Sequence, residues 1–490
     1  MYVSRLFFWF LLILVVVSCK KEKPISKNEI LYNQYCASCH VAPSIGDLPK
    51  DIWKNSVLPD MVSRMKVEEI YEIPNEDQIA RPKIKLKDWS NLQNYIIGLA
   101  PTNLKKNVKP KIEPLALFSQ KPIALDNQNG ALITYLGFNN TDSKLYYGTV
   151  VGELNSYNFV DKKVIKKHQL QTPVTWYNKT KQTEYITEVG ILDPSELEKG
   201  NIVRISSLDT ISLTEKFHRP VHNLVKDLNE DGNVEMVVSE FGNETGRLSL
   251  VTKNSLSTIN KTSLMNLPGS IRTVAEDMNN DGKLDIISIF SQGNESIIIF
   301  YQEENLSFRA EKVLEFSPVY GSSWFELIDY NNDGFKDIIT VNGDNADKSY
   351  EQKPYHGMRI HLNDGNNNFN ERYFYPLNGA TRVIANDFDQ DNDIDFALIS
   401  TFPDYDSAPE LSFVYLENTN SSDYIFKTQT LTNPNSGRWF LMDKGDIDQD
   451  GDDDIILSSF TYVFTPVPDE LSKKWNATNT DILVLENKLH

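Results

Sequence analysis

A nine-residue pattern rich in aspartate and asparagine occurs five times in this 490-residue chain. An apolar segment typical of a β-strand follows each copy, as at residues 286–290. A unit repeated at such spacing buries its apolar faces against neighbouring copies, which restricts this part of the chain to similar all-β units packed side by side. The copies begin at Asp227, Asp277, Asp329, Asp387 and Asp446, so they are separated by 50, 52, 58 and 59 residues.

The pattern has the chemistry of a calcium loop. Side-chain oxygens at positions 1, 3, 5 and 9 can converge on one cation, position 7 offers a backbone carbonyl, and glycine at position 6 permits a tight turn. An EF-hand would place glutamate at position 12 and helices on both sides, whereas strand-like segments follow here. The alternative for any single copy is an Asx-rich turn without metal. The predicted ligands are Asp227, Asn229, Asp231 and Glu235; Asp277, Asn279, Asp281 and Asp285; Asp329, Asn331, Asp333 and Asp337; Asp387, Asp389, Asp391 and Asp395; and Asp446, Asp448, Asp450 and Asp454.

The five loops resemble the FG-GAP/VCBS repeats of calcium-stabilised β-propellers. Phe241-Gly242 matches the Phe-Gly element of that family, and Asn392 replaces the loop glycine in the fourth copy, as asparagine can because it tolerates the left-handed conformation. The resemblance implies one four-stranded blade per motif and about five bound Ca²⁺. Residues 110–215 have the length of two more blades, so we expect a seven-bladed propeller over residues 110–490, with six or eight blades as alternatives.

A second motif, Cys36-Ala37-Ser38-Cys39-His40, lies near the N-terminus. Cys-x-x-Cys-His is the attachment pattern of a c-type haem, in which the two cysteines form thioethers and the histidine binds the iron. The alternatives are a disulfide or half of a zinc site. The chain has three cysteines, so it has no second pair with which to complete a zinc site. We therefore predict one covalent haem c.

The residues around this motif predict a small all-α domain over residues 27–105. Helical spacing of apolar residues is present at 28–35 and again at 88–99, where Pro101 ends the segment. This arrangement resembles a class I cytochrome c, which implies that the two helices cross. Met61 and Met65 are the thioethers available as the second iron ligand, and we favour Met61 because Pro59 stiffens its approach.

The first 18 residues have the features of a secretory signal, with Arg5 followed by an apolar run and small Ser18. The sequence before Cys19 resembles a bacterial lipobox, which implies lipidation of Cys19 and a short tether over residues 19–26. An uncleaved signal anchor is the alternative. Both place the chain outside the cytoplasm, and we expect a membrane-anchored lipoprotein of a Gram-negative-type bacterium, periplasmic or at the outer membrane or cell surface.

The chain is acidic, with 49 Lys and Arg against 68 Asp and Glu and a net charge of −19. Five Ca²⁺ would reduce this charge to about −9, so the acidity is in part a metal-binding feature. Nucleic acid is excluded as a partner because its binding requires a basic face.

A set of polar residues precedes the loops at a shared position. In the propeller resemblance the strand before each calcium loop lines the central channel, so equivalent positions would face the same axis. This placement suggests a pocket for an anionic or sugar-like ligand, and the alternative is pairing of the arginines with carboxylates between blades. The residues are His222, Arg272, Trp324 and Arg382, each five residues before its loop, with Leu441 in the fifth copy and with Arg219, Arg438 and Trp439 in the same segments.

His356 follows a polar insertion over residues 342–354 and is a candidate base for a sugar- or alcohol-oxidising site, or a histidine that serves the loop structure.

Motifs of serine hydrolases, nucleotide-binding loops and zinc proteases are absent from the sequence. We favour a membrane-anchored electron carrier whose propeller binds a redox partner or ligand. The alternatives are a haem-linked dehydrogenase, for which a quinone cofactor has no motif here, and a calcium-dependent adhesion module.

Overall fold

The computed structural model describes residues 26–67, 83–180, 183–207, 209–213, 215–253, 259–345 and 350–490. The predicted signal segment, the lipid-bearing Cys19 and the tether up to residue 25 lie outside the described residues.

The N-terminal part is helical. Its first helix, Lys27–Cys36, begins with a capping box in which Ser26 accepts from the backbone of Glu29 and the Glu29 side chain accepts from the backbone of Ser26. This helix packs against the last one, Leu86–Leu99, which begins two residues earlier than expected. The elements between them are Ile45–Asp47 (3₁₀), Lys50–Ile52 (α), Trp53–Val57 (π), Leu58–Arg64 (α) and the parallel strand pair Lys66–Val67 and Lys83–Ile84.

One apolar cluster holds these helices together. Trp89, Leu92 and Ile96 form the buried stripe of the last helix, whereas Leu99, which the pattern placed in the same stripe, is exposed. The stripe packs against Tyr32 of the first helix and Trp53 of the π-helical turn. The described N-terminal residues, here called the helical module, are therefore held together by one apolar cluster.

The remainder of the chain forms seven blades around a central channel, as predicted, and each blade is a meander of antiparallel strands. Blades 1 to 4 comprise Ile133–Asn139, Lys144–Thr149, Glu153–Asn158 and Lys163–Gln169; Val174–Lys179, Thr183–Glu188, Asn201–Ser206 and Thr210–Ser212; Pro220–Lys226, Glu235–Glu240, Arg247–Lys253 and Ile259–Met265; and Ser270–Glu276, Asp285–Phe290, Ser296–Gln302 and Phe308–Glu315. Blades 5 to 7 comprise Ser322–Ile328, Asp337–Asn342, Gly357–Asn363 and Phe369–Pro376; Ala380–Asn386, Asp395–Ser400, Phe413–Asn420 and Ile425–Thr430; and Trp439–Gly445, Asp454–Ser459 and Ile482–Asn487.

Two strands from residues 112–123 close the ring. Phe118–Ile123 is the outer strand of blade 7 and pairs antiparallel with Ile482–Asn487. Ile112–Pro114 pairs parallel with Ile425–Thr430 at the outer edge of blade 6. The segment 110–215 therefore contributes two full blades and also strands to the last two, which protects edges that would otherwise be unpaired.

Burial follows the position of a strand within its blade. The second strands of blades 3 to 7, such as Asp285–Phe290, are buried at every residue because neighbouring blades cover both of their faces. Outer strands such as Phe308–Glu315 are mostly exposed and carry charges. The last blade also carries a short helix, Asp469–Asn476, whose Trp475 is buried. Two 3₁₀ turns, Pro409–Ser412 and Pro434–Ser436, complete the described elements.

The antiparallel order gives the propeller two different faces. The Asp-rich loops join the first and second strands of blades 3 to 7 and lie on one face, here called the Asp-loop face. The loops between second and third strands and the connections between blades lie on the opposite face, here called the connection face. Within the described residues, helices fall short of the length and apolarity required to cross a membrane.

Candidate functional sites

The five Asp-rich loops have one shared backbone arrangement. The aspartate at position 1 accepts hydrogen bonds from the N–H groups of positions 5 and 6; in the first loop these reach Asp227 from Asp231 at 3.1 Å and from Gly232 at 2.9 Å. Position 6 has a positive φ in all five loops, including 72° at Asn392, which explains why asparagine replaces glycine there. Position 4, whose conformation was not predicted, also has a positive φ in each loop, for example 60° at Glu230.

The carboxylates at positions 1, 3 and 5 converge in the fourth and fifth loops. The oxygens of Asp387, Asp389 and Asp391 lie within 4.8 Å of one another, and those of the equivalent three aspartates of the fifth loop, 446, 448 and 450, do the same. In the first three loops position 3 is asparagine, so each offers two carboxylates and one amide oxygen at these positions. Oxygen donors of this kind suit a hard cation such as Ca²⁺.

The acid at position 9 lies deeper and supports the loop. In the second loop, buried Asp285 accepts from the N–H of Met278 at 3.0 Å and from the N–H of Gln302 on the third strand at 2.8 Å. Asp337, Asp395 and Asp454 make the equivalent pair of bonds, whereas Glu235 makes the bond within its own loop, from Leu228. Burial raises the pKa of Asp337 to about 6 and the pKa values of Asp395 and Asp454 to about 7.

An amide at the end of the third strand completes this support. The Gln302 side chain donates to the carbonyl of Leu284 at 2.8 Å, next to Asp285. Equivalent amides donate to position 8 of the next three loops, and these are Asn363, Asn418 and Asn487. The position-9 acid and this amide therefore connect each of these four loops to its blade.

The Cys-x-x-Cys-His segment begins at the end of the first helix. Cys36 is the last helical residue and is half-buried against the apolar cluster of the module, whereas Cys39 is exposed, and both thiols are free. Burial raises the pKa of Cys36 to about 12. The His40 Nδ1 atom lies 2.8 Å from the Val41 carbonyl oxygen. A carbonyl only accepts hydrogen bonds, so Nδ1 carries the proton and Nε2 keeps its lone pair.

Both methionine candidates contact the same apolar cluster as Cys36. Met61 lies in the helix Leu58–Arg64 and is half-buried. Met65 follows the end of that helix in an extended conformation and is 5% exposed. The two side chains are therefore not successive positions on one helical face, and the choice of Met61 over Met65 stays a prediction.

The predicted channel residues occupy one register position. In each inner strand a bulge precedes the residue in question, as between Ser322 and Trp324 in blade 5. The same bulge marks the equivalent residues of blades 1 and 2, which lack Asp-rich loops and which sequence reasoning did not identify. The position is held by Tyr135, Trp176, His222, Arg272, Trp324, Arg382 and Leu441 in blades 1 to 7.

Neighbouring side chains at this position contact one another from blade to blade. The rings of Tyr135 and Trp176 are 5.4 Å apart, and those of Trp176 and His222 are 4.0 Å apart. The guanidiniums of Arg272 and Arg382 lie over the Trp324 ring at 4.2 and 4.4 Å. Burial, together with the charge of Arg272, holds the pKa of His222 well below its usual range. We call these six residues, 135, 176, 222, 272, 324 and 382, the channel ring.

The other predicted candidates serve their own loops. Arg219 is buried and donates to the carbonyls of Ile191 at 3.3 Å and Leu192 at 2.8 Å. Arg438, 2% exposed, donates to the carbonyl of Tyr462 at 2.6 Å and to the Thr465 hydroxyl at 2.8 Å. Neither contact places a guanidinium in the channel ring.

Two further candidates are buried away from that ring. Trp439 is 1% exposed, and its indole N–H donates to the Pro434 carbonyl at 3.0 Å. His356 is fully buried in the loop between the second and third strands of blade 5, where its ring packs edge-on against Tyr355. Its burial favours the structural interpretation over the base.

The helical module packs on the connection face. The Tyr355 hydroxyl donates to the carbonyl of Asp47 at 2.9 Å, and Val319 packs against the apolar cluster of the module. Arg64 and Glu244 form an exposed ion pair at 3.7 Å. These contacts come from blade 3, blade 5 and the connection between blades 4 and 5.

One comparison, with models of protein families, agrees with the repeat assignment. A family model described as an FG-GAP-like repeat matches residues 277–340, which span parts of blades 4 and 5 with two of the Asp-rich loops. A solved structure with limited similarity is an auxiliary nutrient binding protein from Bacteroides ovatus, with 13% sequence identity, a TM-score of 0.37, and coverage of 55% of this chain and 67% of that chain. No curated protein matches this chain.

Proposed function

We propose that this protein is an extracytoplasmic c-type cytochrome that transfers electrons, with its haem module mounted on a calcium-stabilised propeller. The observation that supports the proposal is the placement of Cys36, Cys39 and His40. Two free thiols and an imidazole with an available Nε2 follow the end of a helix, and the first thiol contacts the same apolar cluster as Met61 and Met65.

The donor set fits a covalently bound haem. Cys36 and Cys39 would hold the porphyrin through thioethers, and His40 would bind the iron through Nε2 while Nδ1 donates to the Val41 carbonyl. The haem supplies one-electron redox chemistry when bound. The chain would supply apolar surroundings, which limit the access of water to the haem. It would also supply a methionine thioether, which favours a high reduction potential.

Calcium would stabilise the propeller that carries this module. The oxygens at positions 1, 3 and 5 of each loop would hold the ion, and the position-9 acids would fix the loops to their blades as described above. Without a cation, the close aspartates of the fourth and fifth loops repel one another. We expect chelation to lower the thermal stability of the propeller.

A lipid on Cys19 would anchor the protein outside the cytoplasm, where c-type haem is attached. The direct test is expression of the full chain in a bacterium that matures c-type cytochromes. We expect an absorbing haem that stays with the protein through acidic organic extraction. The Cys36→Ala, Cys39→Ala double variant should lose the haem, whereas Cys19→Ala, the matched control, should keep it and lose membrane association.

A colourless wild-type protein from that host would contradict the haem proposal. Retention of haem by the double variant would show that the haem is held by another part of the chain. Loss of membrane association only in Cys19→Ala would support the anchor separately from the haem.

A second candidate function is a haem-linked dehydrogenase, and one observation favours it. The channel ring lies near the start of the inner strands, and therefore near the connection face on which the helical module packs. A substrate in the channel would thus lie on the side of the propeller that carries the haem module. Reduction of the haem by one class of sugars, alcohols or sugar acids, with or without added quinone, would establish this function. If dithionite reduces the haem and none of these substrates does, the result would favour the electron-carrier function.

A further inference from the structure

The channel ring carries two guanidiniums with different electrostatic surroundings. Arg272 lies 2.9 Å from Glu326, whose other oxygen accepts from the Trp324 indole N–H at 3.0 Å. This carboxylate therefore balances the charge of Arg272 and is itself fully engaged.

Among the described residues Arg382 forms no such ion pair, and the carboxylate whose charge acts on it is that of Asp344. Its Nη1 donates to the carbonyl of the preceding Thr381 at 2.8 Å, and its guanidinium lies over the Trp324 ring. Its neighbour at the ring position of blade 7 is apolar Leu441. Burial, together with the charge of Arg272, lowers the pKa of Arg382 to about 10, and the opposing effect of Asp344 does not offset this.

A half-buried guanidinium that lacks an ion-paired carboxylate is costly unless something else compensates it. Guanidinium presents a planar fork of N–H donors that matches carboxylates and phosphates. Stacking on Trp324 fixes the plane of this fork, so little conformational freedom remains to be lost when an anion binds.

The surroundings of Arg382 also favour an anion over a cation or an aromatic ring. Two guanidiniums already lie over the Trp324 indole, so it is less available to stack on a ligand ring. His222 contributes a further nitrogen to the channel ring, because its Nδ1 atom is buried without a hydrogen-bond partner and its side chain is 5% exposed. The ring therefore offers an anion the N–H groups of Arg382, with a further nitrogen at the histidine.

We propose that the central channel binds a small oxyanion, a carboxylate or a phosphate, through Arg382, with Trp324 holding the guanidinium in place. This inference names the ligand class of the propeller. It rests only on the part of the proposed function in which the propeller binds a ligand, and it is independent of the haem.

The test is calorimetric titration of the calcium-loaded full chain with potassium glucuronate, with inorganic phosphate and with glucose as the neutral counterpart of glucuronate. We expect saturable binding of glucuronate or phosphate and none of glucose. Glucuronate alone would assign a carboxylate ligand, and phosphate alone would assign a phosphorylated one. Trp324 fluorescence, identified by its loss in Trp324→Phe, should change over the same concentration range.

Arg382→Met should weaken this binding by about tenfold or more, because a charge-assisted pair is lost. The matched control is Arg309→Met, since Arg309 is exposed, pairs with Glu311 and lies on an outer strand. Saturable binding of neither anion up to about 10 mM would overturn the proposal. Equal binding of glucose, or unchanged affinity in a folded Arg382→Met variant, would do the same.

The wild-type comparison of glucuronate with glucose keeps the proposal testable if Arg382→Met does not fold. A colourless protein that binds the anion would contradict the haem proposal and support the channel site. A haem protein that binds neither anion would support the haem proposal and contradict the channel site.

Discussion

The position-9 acids should contribute to stability even without calcium, and Asp285 allows this to be tested. Its carboxylate accepts from two buried backbone N–H groups, those of Met278 and Gln302, at 3.0 and 2.8 Å. A hydrogen bond to a charged group contributes about 1.5–3 kcal/mol, and its loss leaves a buried donor unsatisfied. We therefore expect Asp285→Ala to lower the free energy of unfolding by about 3–6 kcal/mol.

Asp281 provides a matched control in the same loop. It is exposed at position 5, where water can replace its hydrogen bonds to the backbone. Asp281→Ala should cost less than about 1 kcal/mol in chelator but should remove the calcium-dependent part of the stability that this loop provides. The two aspartates thus separate the structural contribution of the loop from its metal-binding contribution.

The assay is urea unfolding of both variants and the wild type, in calcium and in chelator, followed by the far-ultraviolet circular dichroism of the propeller strands. A cost below about 1 kcal/mol for Asp285→Ala in chelator would refute the argument from buried donors. A cost that appears only in calcium would instead show that position 9 acts mainly as a metal ligand.

Three other predictions concern separate parts of the molecule. Burial raises the pKa of Glu295 to about 7, so the free energy of unfolding should fall by about 3 kcal/mol as the pH rises from about 4.5 through 7. Glu295→Gln should remove this pH dependence when stability is measured over a pH series. Equal slopes for the variant and the wild type would contradict the prediction. If Met61 binds the haem iron, Met61→Ala should lower the reduction potential in a potentiometric titration, whereas Met65→Ala should leave the potential nearly unchanged and destabilise the module by about 2–5 kcal/mol, because Met65 is 5% exposed; the reverse pattern would make Met65 the ligand. A chain that begins at residue 126 lacks the closing strand Phe118–Ile123 and should aggregate, whereas one that begins at residue 109 should give soluble propeller on size-exclusion chromatography; equal solubility would show that closure is dispensable.

The sequence predicted the blade count because the Asp pattern marks the same point in five blades, and the remaining length matched two more. It did not predict the closure, since Phe118–Ile123 contains proline and lysine and pairs with residues more than 350 positions away. Tyr135 and Trp176 were missed because their blades lack a loop from which to count. The third-strand amides were missed because their separation from the position-9 acid varies from 17 residues at Gln302 to 33 at Asn487.

One substitution in the propeller can distinguish the electron-carrier hypothesis from the dehydrogenase hypothesis. The Asp-rich loops occupy one face, while the helical module and the nearby channel ring share the other. A channel ligand and a haem in the module would therefore be neighbours under both hypotheses. Under the carrier hypothesis, Arg382→Met changes anion binding and leaves the reduction of the haem by a partner protein intact. Under the dehydrogenase hypothesis, the same substitution abolishes the reduction of the haem by a substrate while dithionite still reduces it. Arg382→Met therefore distinguishes the two hypotheses. Arg382 lies in blade 6, far in sequence from Cys36 and Cys39, so the substitution would alter the supply of electrons without changing the haem-binding residues.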